Sequence, residues 1–308
     1  MKILFMGTPE FAKENLKALC ENGENEIVGV ISQPDKPQGR HMELVPTPVK
    51  AYALSRDIPV YQPETLKDNA ILPLLRELEP ELIVVVAYGK ILPEYVLNFP
   101  KYGCVNMHAS LLPQFRGAAP IQRAVMAGDR RTGITAMYME KGLDTGDMIM
   151  KAEIEIGEEQ TAGELHDALA ELGGKVLVET VRKLESGDVN AEKQDDSKST
   201  YAHMLTKAEG EIDWGLTARE IKNRVRGLNP WPMAFTFLGG KRIVIDRVTV
   251  VNGSGEPGEV ISADDALVVA CGEGAVRIDS FKPEGKKKMP VSEYLRGHKI
   301  DVKTILGR

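Results

Sequence analysis

Ile3-Leu4-Phe5-Met6-Gly7-Thr8-Pro9-Glu10-Phe11 runs from four consecutive apolar residues through a glycine turn into a helical pattern. A short unbroken apolar run bounded by turn residues is the pattern of a strand buried on both faces. The same texture returns at residues 26–32, 82–87 and 104–108, and helical periodicity fills 11–20, 49–56, 71–78 and 91–97 between them. Strands that alternate with helices call for crossover connections, which lay helices over both faces of a parallel sheet. The expected fold of the first half is therefore α/β, a Rossmann-like, doubly wound and mostly parallel sheet. Ligands of such sheets sit beyond the carboxyl ends of the strands, which here means residues 7–10, 33–46, 88–92 and 109–117.

Further along, a helical pattern at 162–184 gives way to Glu185-Ser186-Gly187 and then to a polar stretch, 192–200, with the character of an exposed linker. Beyond it, short strand-like runs at 234–237, 243–251, 259–262, 266–270 and 275–281 are separated by Gly, Pro and Asn, with a helical pattern at 218–225. Short strands spaced in this way predict a second, smaller β-barrel domain of OB-like type. The expected division is a first domain at 1–187, a linker at 188–204 and a C-terminal domain at 205–308.

A length of 308 residues suits two domains, and 43% apolar with 27% charged residues is the composition of an ordinary soluble protein. The longest strongly apolar run, 82–87, is too short to span a bilayer, and Met1-Lys2 leads into Ile3 without the features of a secretory leader. Cys20, Cys104 and Cys271 form no CxxC pair, which argues against disulfides and a zinc site. The expected compartment is cytoplasmic, with no membrane partner. The net charge of -6 is uneven: from Tyr201 onward 17 Lys and Arg face 14 Asp and Glu, leaving the rest near -9. Such a split fits either a surface for a charged partner or a mixed solvated face.

Gly7-Thr8-Pro9-Glu10 occupies the place of a phosphate-binding turn but lacks GxGxxG spacing, and Glu10 would set negative charge beside a pyrophosphate. A nucleotide-dependent oxidoreductase is thus the weaker alternative, and a structural turn the simpler one. A stronger signal is Asn106-Met107-His108, because strand alternation turns positions 106 and 108 to the same side. Downstream, Gly142-Leu143-Asp144-Thr145-Gly146-Asp147 sets carboxylates in a glycine-rich loop. An amide that donates to a carbonyl oxygen, an imidazole that takes a proton and a carboxylate that orients it suit acyl transfer to an amine. Against this, a strand-end His is often structural and an Asp in such a turn is often only a turn former. His41, His166, His203 and His298 offer no zinc spacing, and without a GxSxG elbow a direct transfer is simpler than a covalent route.

Asn106-Met107-His108-Ala109-Ser110-Leu111-Leu112-Pro113 with Arg116-Gly117-Ala118-Ala119-Pro120-Ile121 resembles the methionyl-tRNA formyltransferase family. The likeness extends to Gly7-Thr8-Pro9-Glu10-Phe11-Ala12, Gln33-Pro34-Asp35, Gly39-Arg40, residues 142–147 and Asn229-Pro230-Trp231-Pro232. The resemblance implies a one-carbon transferase that moves the formyl group of 10-formyltetrahydrofolate to methionine on initiator methionyl-tRNA, for translation initiation. It implies Asn106, His108 and Asp144 as catalytic residues, Ser110, Leu111, Leu112 and Pro113 as folate contacts, and Tyr88, Ile91 and Leu92 as a wall for the pterin ring. The donor is a substrate, no metal is expected, and the chain is expected to act as a monomer.

For the tRNA, the resemblance implies Arg40 and Lys36 in the 33–50 loop, while the charge of the second domain, through Lys207 and the run Lys286-Lys287-Lys288, fits either an RNA-binding face of a small barrel or solvated surface lysines. Arg219, Lys222, Arg224, Lys241 and Arg242 add to the same basic count. Relatives often carry Gly-Lys-Lys after the loop arginine, where this chain has His41-Met42-Glu43. The elements around Asn106 and His108 are shared with formyltransferases acting on other amines, such as amino sugar nucleotides, and that acceptor class is the second reading.

Overall fold

The computed structural model describes residues 1–38 and 42–307. The chain divides into two compact units, one of Met1–Gly117, Arg131–Ile154 and His166–Tyr201, the other of Ala118–Arg130, Glu155–Leu165 and Ala202–Arg308. Among the described residues no helix is long and apolar enough to cross a membrane.

The first unit is built on a seven-stranded sheet in the order Met148–Glu155, Arg131–Tyr138, Cys104–His108, Leu82–Val86, Lys2–Gly7, Glu26–Ile31 and Val60–Tyr61. The strands from Cys104–His108 to Val60–Tyr61 pair parallel with their neighbours. Arg131–Tyr138 joins Cys104–His108 antiparallel, so the sheet is mixed at this end. Leu4, Met6, Ile83 and Val85 pack on one side against Ile71, Leu75, Leu92 and Val96, while Ile3, Phe5, Val84 and Val86 on the other side are equally buried. Both faces are therefore covered, and this is why the strands read as continuous apolar runs.

The helix Glu10–Asn22 shows how local chemistry sets the elements. Phe11, Ala12, Asn15, Leu16 and Leu19 share its buried stripe, and Gly23 ends it at φ 68° in the left-handed region. A Cβ on Gly7 would lie 2.7 Å from the Ala12 Cβ and 2.9 Å from the Val86 carbonyl oxygen. This glycine lets helix and strand pack closely, as the structural reading of the turn expects.

Three strands of this sheet escape the sequence reading, Val60–Tyr61, Arg131–Tyr138 and Met148–Glu155, and a packing constraint lies between the last two. A Cβ on Gly133 would stand 2.1 Å from the Ala152 carbonyl oxygen and 2.6 Å from Leu111 Cδ2. Gly133→Ala should therefore destabilise the fold by about 1–3 kcal/mol, since backbone must move to admit the methyl. A melting temperature equal to the parent's would remove this account of the strand pair.

The second unit carries an antiparallel sheet in the order Ala234–Leu238, Lys241–Val251, Ala275–Pro283, Leu267–Ala270 and Val260–Ser262, with Met289–Pro290 paired to Ala275–Pro283. Register shifts around Arg247 mark irregularities in the long strand, a device that bends and twists a sheet. The sheet curls into a half-barrel around Trp214, Ile221, Val225, Ile245, Val276 and Phe281. The helix Ala218–Gly227 starts at a capping box in which Thr217 and Glu220 satisfy each other's backbone N–H groups.

The compact units are not divided by a single cut at 188–204, because residues 118–130 and 155–165 group with the helix Ala218–Gly227. Arg226 supplies part of the reason: its guanidinium donates to the carbonyls of Gly157 at 3.0 Å and Gln160 at 3.3 Å. Lys222 pairs with Glu159, and Arg219 pairs with Glu158 at 3.0 Å.

Candidate active site

Cys104–His108 lies between Leu82–Val86, where Val85 faces Asn106, and Arg131–Tyr138, where Thr135 faces His108. Alternation turns Asn106 and His108 to one side. His108 is 6% exposed while Asn106 is half-buried, and the Asn106 amide has no hydrogen-bond partner among the described residues. Its donors are free for a ligand.

The imidazole of His108 has Nε2 2.9 Å from the Phe115 carbonyl oxygen and Nδ1 3.6 Å from Asp144 Oδ2. A carbonyl oxygen only accepts, so Nε2 carries a proton in either charge state of the ring. Nδ1 is the nitrogen left to take up a second proton, and a carboxylate faces it. The Gly117 N–H donates to the same Oδ2 at 2.8 Å and holds the carboxylate in place. Asp144 adopts φ 52°, a left-handed conformation that Asp tolerates better than most residues. The structure thus brings His108 and Asp144 together across 36 positions of sequence, with Asn106 on the same sheet edge.

Of the residues expected around folate, Ser110 is fully buried, its Oγ donating to the Gln114 carbonyl oxygen at 2.6 Å. Leu112 is buried as well, and its N–H donates to Thr135 Oγ1 at 3.1 Å, so these two shape the turn from within. Leu111 and Pro113 are half-buried. Tyr88 and Leu92 belong to the apolar core, whereas Ile91 is 87% exposed. Burial without a partner for its hydroxyl pushes the Tyr88 phenol up to about 12. Among the described residues no group of three or more His, Cys, Asp or Glu is placed to hold a metal ion.

Lys36 is exposed on a short strand, Lys36–Gln38, paired with Glu43–Val45, while Arg40 and His41 lie outside the described residues. Lys207, Lys286, Lys287 and Lys288 are exposed on the second unit. Lys286 Nζ approaches His298 Nε2 at 2.9 Å, and Lys288 pairs with Asp246 at 3.2 Å. The basic residues of Ala218–Gly227 are spent differently: Lys222 is only 7% exposed, and Arg224 donates to the Glu209 carbonyl oxygen. Counting charges along the chain could not separate these two groups.

Of two residues near Asp144, Gln194 gave no local signal of a role and Arg116 entered only as part of a family motif. Gln194 donates to the carbonyl oxygens of Asp144 and Gly146, each at 2.8 Å, and Arg116 donates to Gln194 Oε1 from Nε at 3.0 Å and Nη2 at 2.8 Å. Gln194 sits in the polar stretch read as linker, between the exposed Lys193 and Asp195, where one half-buried side chain is invisible to composition.

A Rossmann-like sheet with an amide, an imidazole and a carboxylate at its edge, joined to a curled antiparallel sheet, has the plan of a group-transfer enzyme. Its class is formyl transferase: residues 1–181 match the Formyl transferase family and residues 204–299 the Formyl transferase, C-terminal domain family. The methionyl-tRNA formyltransferase of Caldanaerobacter subterraneus is 52% identical over 99% of this chain and 100% of its own. That of Alkaliphilus oremlandii is 50% identical over the full length of both. The chain belongs to the methionyl-tRNA formyltransferase family. The fold is also that of the N-formyltransferase from Helicobacter canadensis solved with folinic acid and dTDP-3-aminofucose, at a TM-score of 0.68 and 17% identity, covering 94% of this chain and 100% of that one.

Proposed function

We propose that the enzyme transfers the formyl group of 10-formyltetrahydrofolate to the free amino group of methionine on initiator methionyl-tRNA, in the cytoplasm and as a monomer. The observation that carries this reading is the family membership along the whole chain, through both units. We assign catalysis to the 1–187 segment and tRNA binding to 205–308, linked by 188–204.

The neutral amine attacks the formyl carbon while the carbonyl oxygen gains negative charge. Asn106 donates a hydrogen bond to that oxygen from a half-buried position, where such a bond counts for more than in water. His108 takes the amine proton, directly or through water, and a proton is returned to the folate nitrogen as its bond to the formyl carbon breaks. Nδ1 is the position for that proton, since Nε2 is engaged with Phe115, and Asp144 balances the charge that results. For the folate, the exposed apolar Ile91 and the half-buried Leu111 and Pro113 offer surface to a flat ring, with Tyr88, Leu92, Ser110 and Leu112 behind them. For the RNA, Lys36, Lys207 and the 286–288 run are exposed, and Arg40 completes the reading.

Mixing the enzyme with the formyl folate and charged initiator tRNA should yield formyl-methionine on the tRNA. Formylation of an amino sugar nucleotide without formylation of the tRNA would overturn the acceptor assignment. Replacing Lys286, Lys287 and Lys288 together by alanine should weaken tRNA binding and flatten its salt dependence by about 0.7–0.9 in log–log slope for each phosphate that the enzyme no longer neutralises. Equal slopes before and after would move the RNA-binding surface elsewhere.

A further inference from the structure

We propose that Gln194 is a positioning residue, whose side-chain amide, oriented by Arg116, aims the Asp144 carboxylate at His108. The proposal rests on reading Asn106, His108 and Asp144 as the catalytic group. Asp144 sits in a turn with φ 52°, a backbone conformation that its surroundings must hold in place. The Gln194 amide supplies that hold by donating to two carbonyls of one loop, Asp144 and Gly146, each at 2.8 Å. Pinning both carbonyls sets the rotation of the peptide from which the carboxylate projects.

The orientation of the amide is decided by its other end. Oε1 receives two hydrogen bonds from Arg116, whose guanidinium also reaches Asp196 at 2.7 Å. A flipped amide would set NH2 against the guanidinium and oxygen against two carbonyls, leaving every partner mismatched. Arg116 is 9% exposed, so the geometry is kept from water. Its neighbour Gly117 donates the N–H that holds Asp144 Oδ2 at 2.8 Å, so one short segment grips both the backbone and the carboxylate of this loop. The chain's polar stretch thereby completes the site.

The test is a double-mutant cycle on the full-length enzyme, with formylation turnover measured while folate and charged tRNA are varied separately. Gln194→Glu keeps the length and the Arg116 pairing but turns a carboxylate oxygen toward the two carbonyls. We expect kcat to fall at least about thirtyfold with both KM values within about threefold of the parent, because geometry at the reacting centre is lost and binding is not. Gln194→Leu, similar in size and without polar atoms, should behave alike, and both variants should stay folded at the assay temperature although the lost hydrogen bonds lower their melting temperature. Combined with Asp144→Asn, either should lower kcat by less than about threefold more, since residues acting through one another are not additive. Normal turnover in both variants, or losses that multiply fully with Asp144→Asn, would overturn the assignment. So would loss of the fold along with turnover, which would make Gln194 structural only. An Asp144→Asn enzyme of unchanged kcat would remove the catalytic reading and this proposal with it, whereas a crippled Asp144→Asn beside normal Gln194 variants removes positioning alone.

Discussion

His108→Ala should lower formylation turnover by at least about a hundredfold, and Asn106→Ala should do the same through a different loss. The imidazole is the titratable ring that faces Asp144 at this sheet edge, and a positioned proton acceptor contributes about 10²–10⁴ in rate. Its removal also frees the Phe115 carbonyl, a loss of about 1–2 kcal/mol in stability that a melting curve would register. The Asn106 side chain makes no hydrogen bond to the rest of the described chain, so Asn106→Ala should leave the melting temperature unchanged. Loss of one donor to a developing oxyanion raises a barrier by about 2.7–4 kcal/mol, which again means a hundredfold or more. In both variants kcat should fall while KM stays close to the parent's, the pattern of an interaction made only in the transition state. Turnover within threefold of the parent in either one would discard the mechanism.

Asp144→Asn should reduce turnover by at least about fiftyfold while preserving the shape of the loop. The carboxamide can still accept from the Gly117 N–H, but the charge opposite His108 Nδ1 is gone. A neutral group leaves the imidazolium without its counter-charge when the amine proton arrives, so the step becomes harder without any change in who binds. The comparison with Asp144→Ala separates two contributions, because alanine also gives up the hydrogen bond from Gly117 and should fall further. If asparagine at this position worked as well as aspartate, Asp144 would be a turn former and nothing more.

Much of the fold was legible because its signals are local. Runs such as 82–87 are apolar on both faces, and helical periodicity marks 11–20 and 218–225. The alternation that turns Asn106 and His108 to one side is likewise a property of three consecutive residues. The strands Arg131–Tyr138 and Met148–Glu155 were not legible, since the first of them is recruited antiparallel beside a parallel run of strands, a pairing with residues far off in sequence that nothing local announces. The basic residues divided unpredictably for the same kind of reason. Lys222 and Arg226 look like surface charges in sequence, yet Glu159 and the carbonyls of Gly157 and Gln160 wait for them about sixty positions away.

Sequence alone thus determined the layered α/β plan, the β-rich second half and the candidate amide and imidazole, because each depends on residues within a turn or two of one another. Tertiary structure decided how the Asp144 carboxylate is held against His108 and which cations are consumed inside the molecule. Asp144 reaches His108 from 36 positions away, Gln194 grips the Asp144 carbonyl from 50, and Arg116 orients Gln194 from 78. Hydrogen bonds and ion-pair contacts are short-ranged, so such pairings exist only once the whole chain path has brought the partners to within about 4 Å.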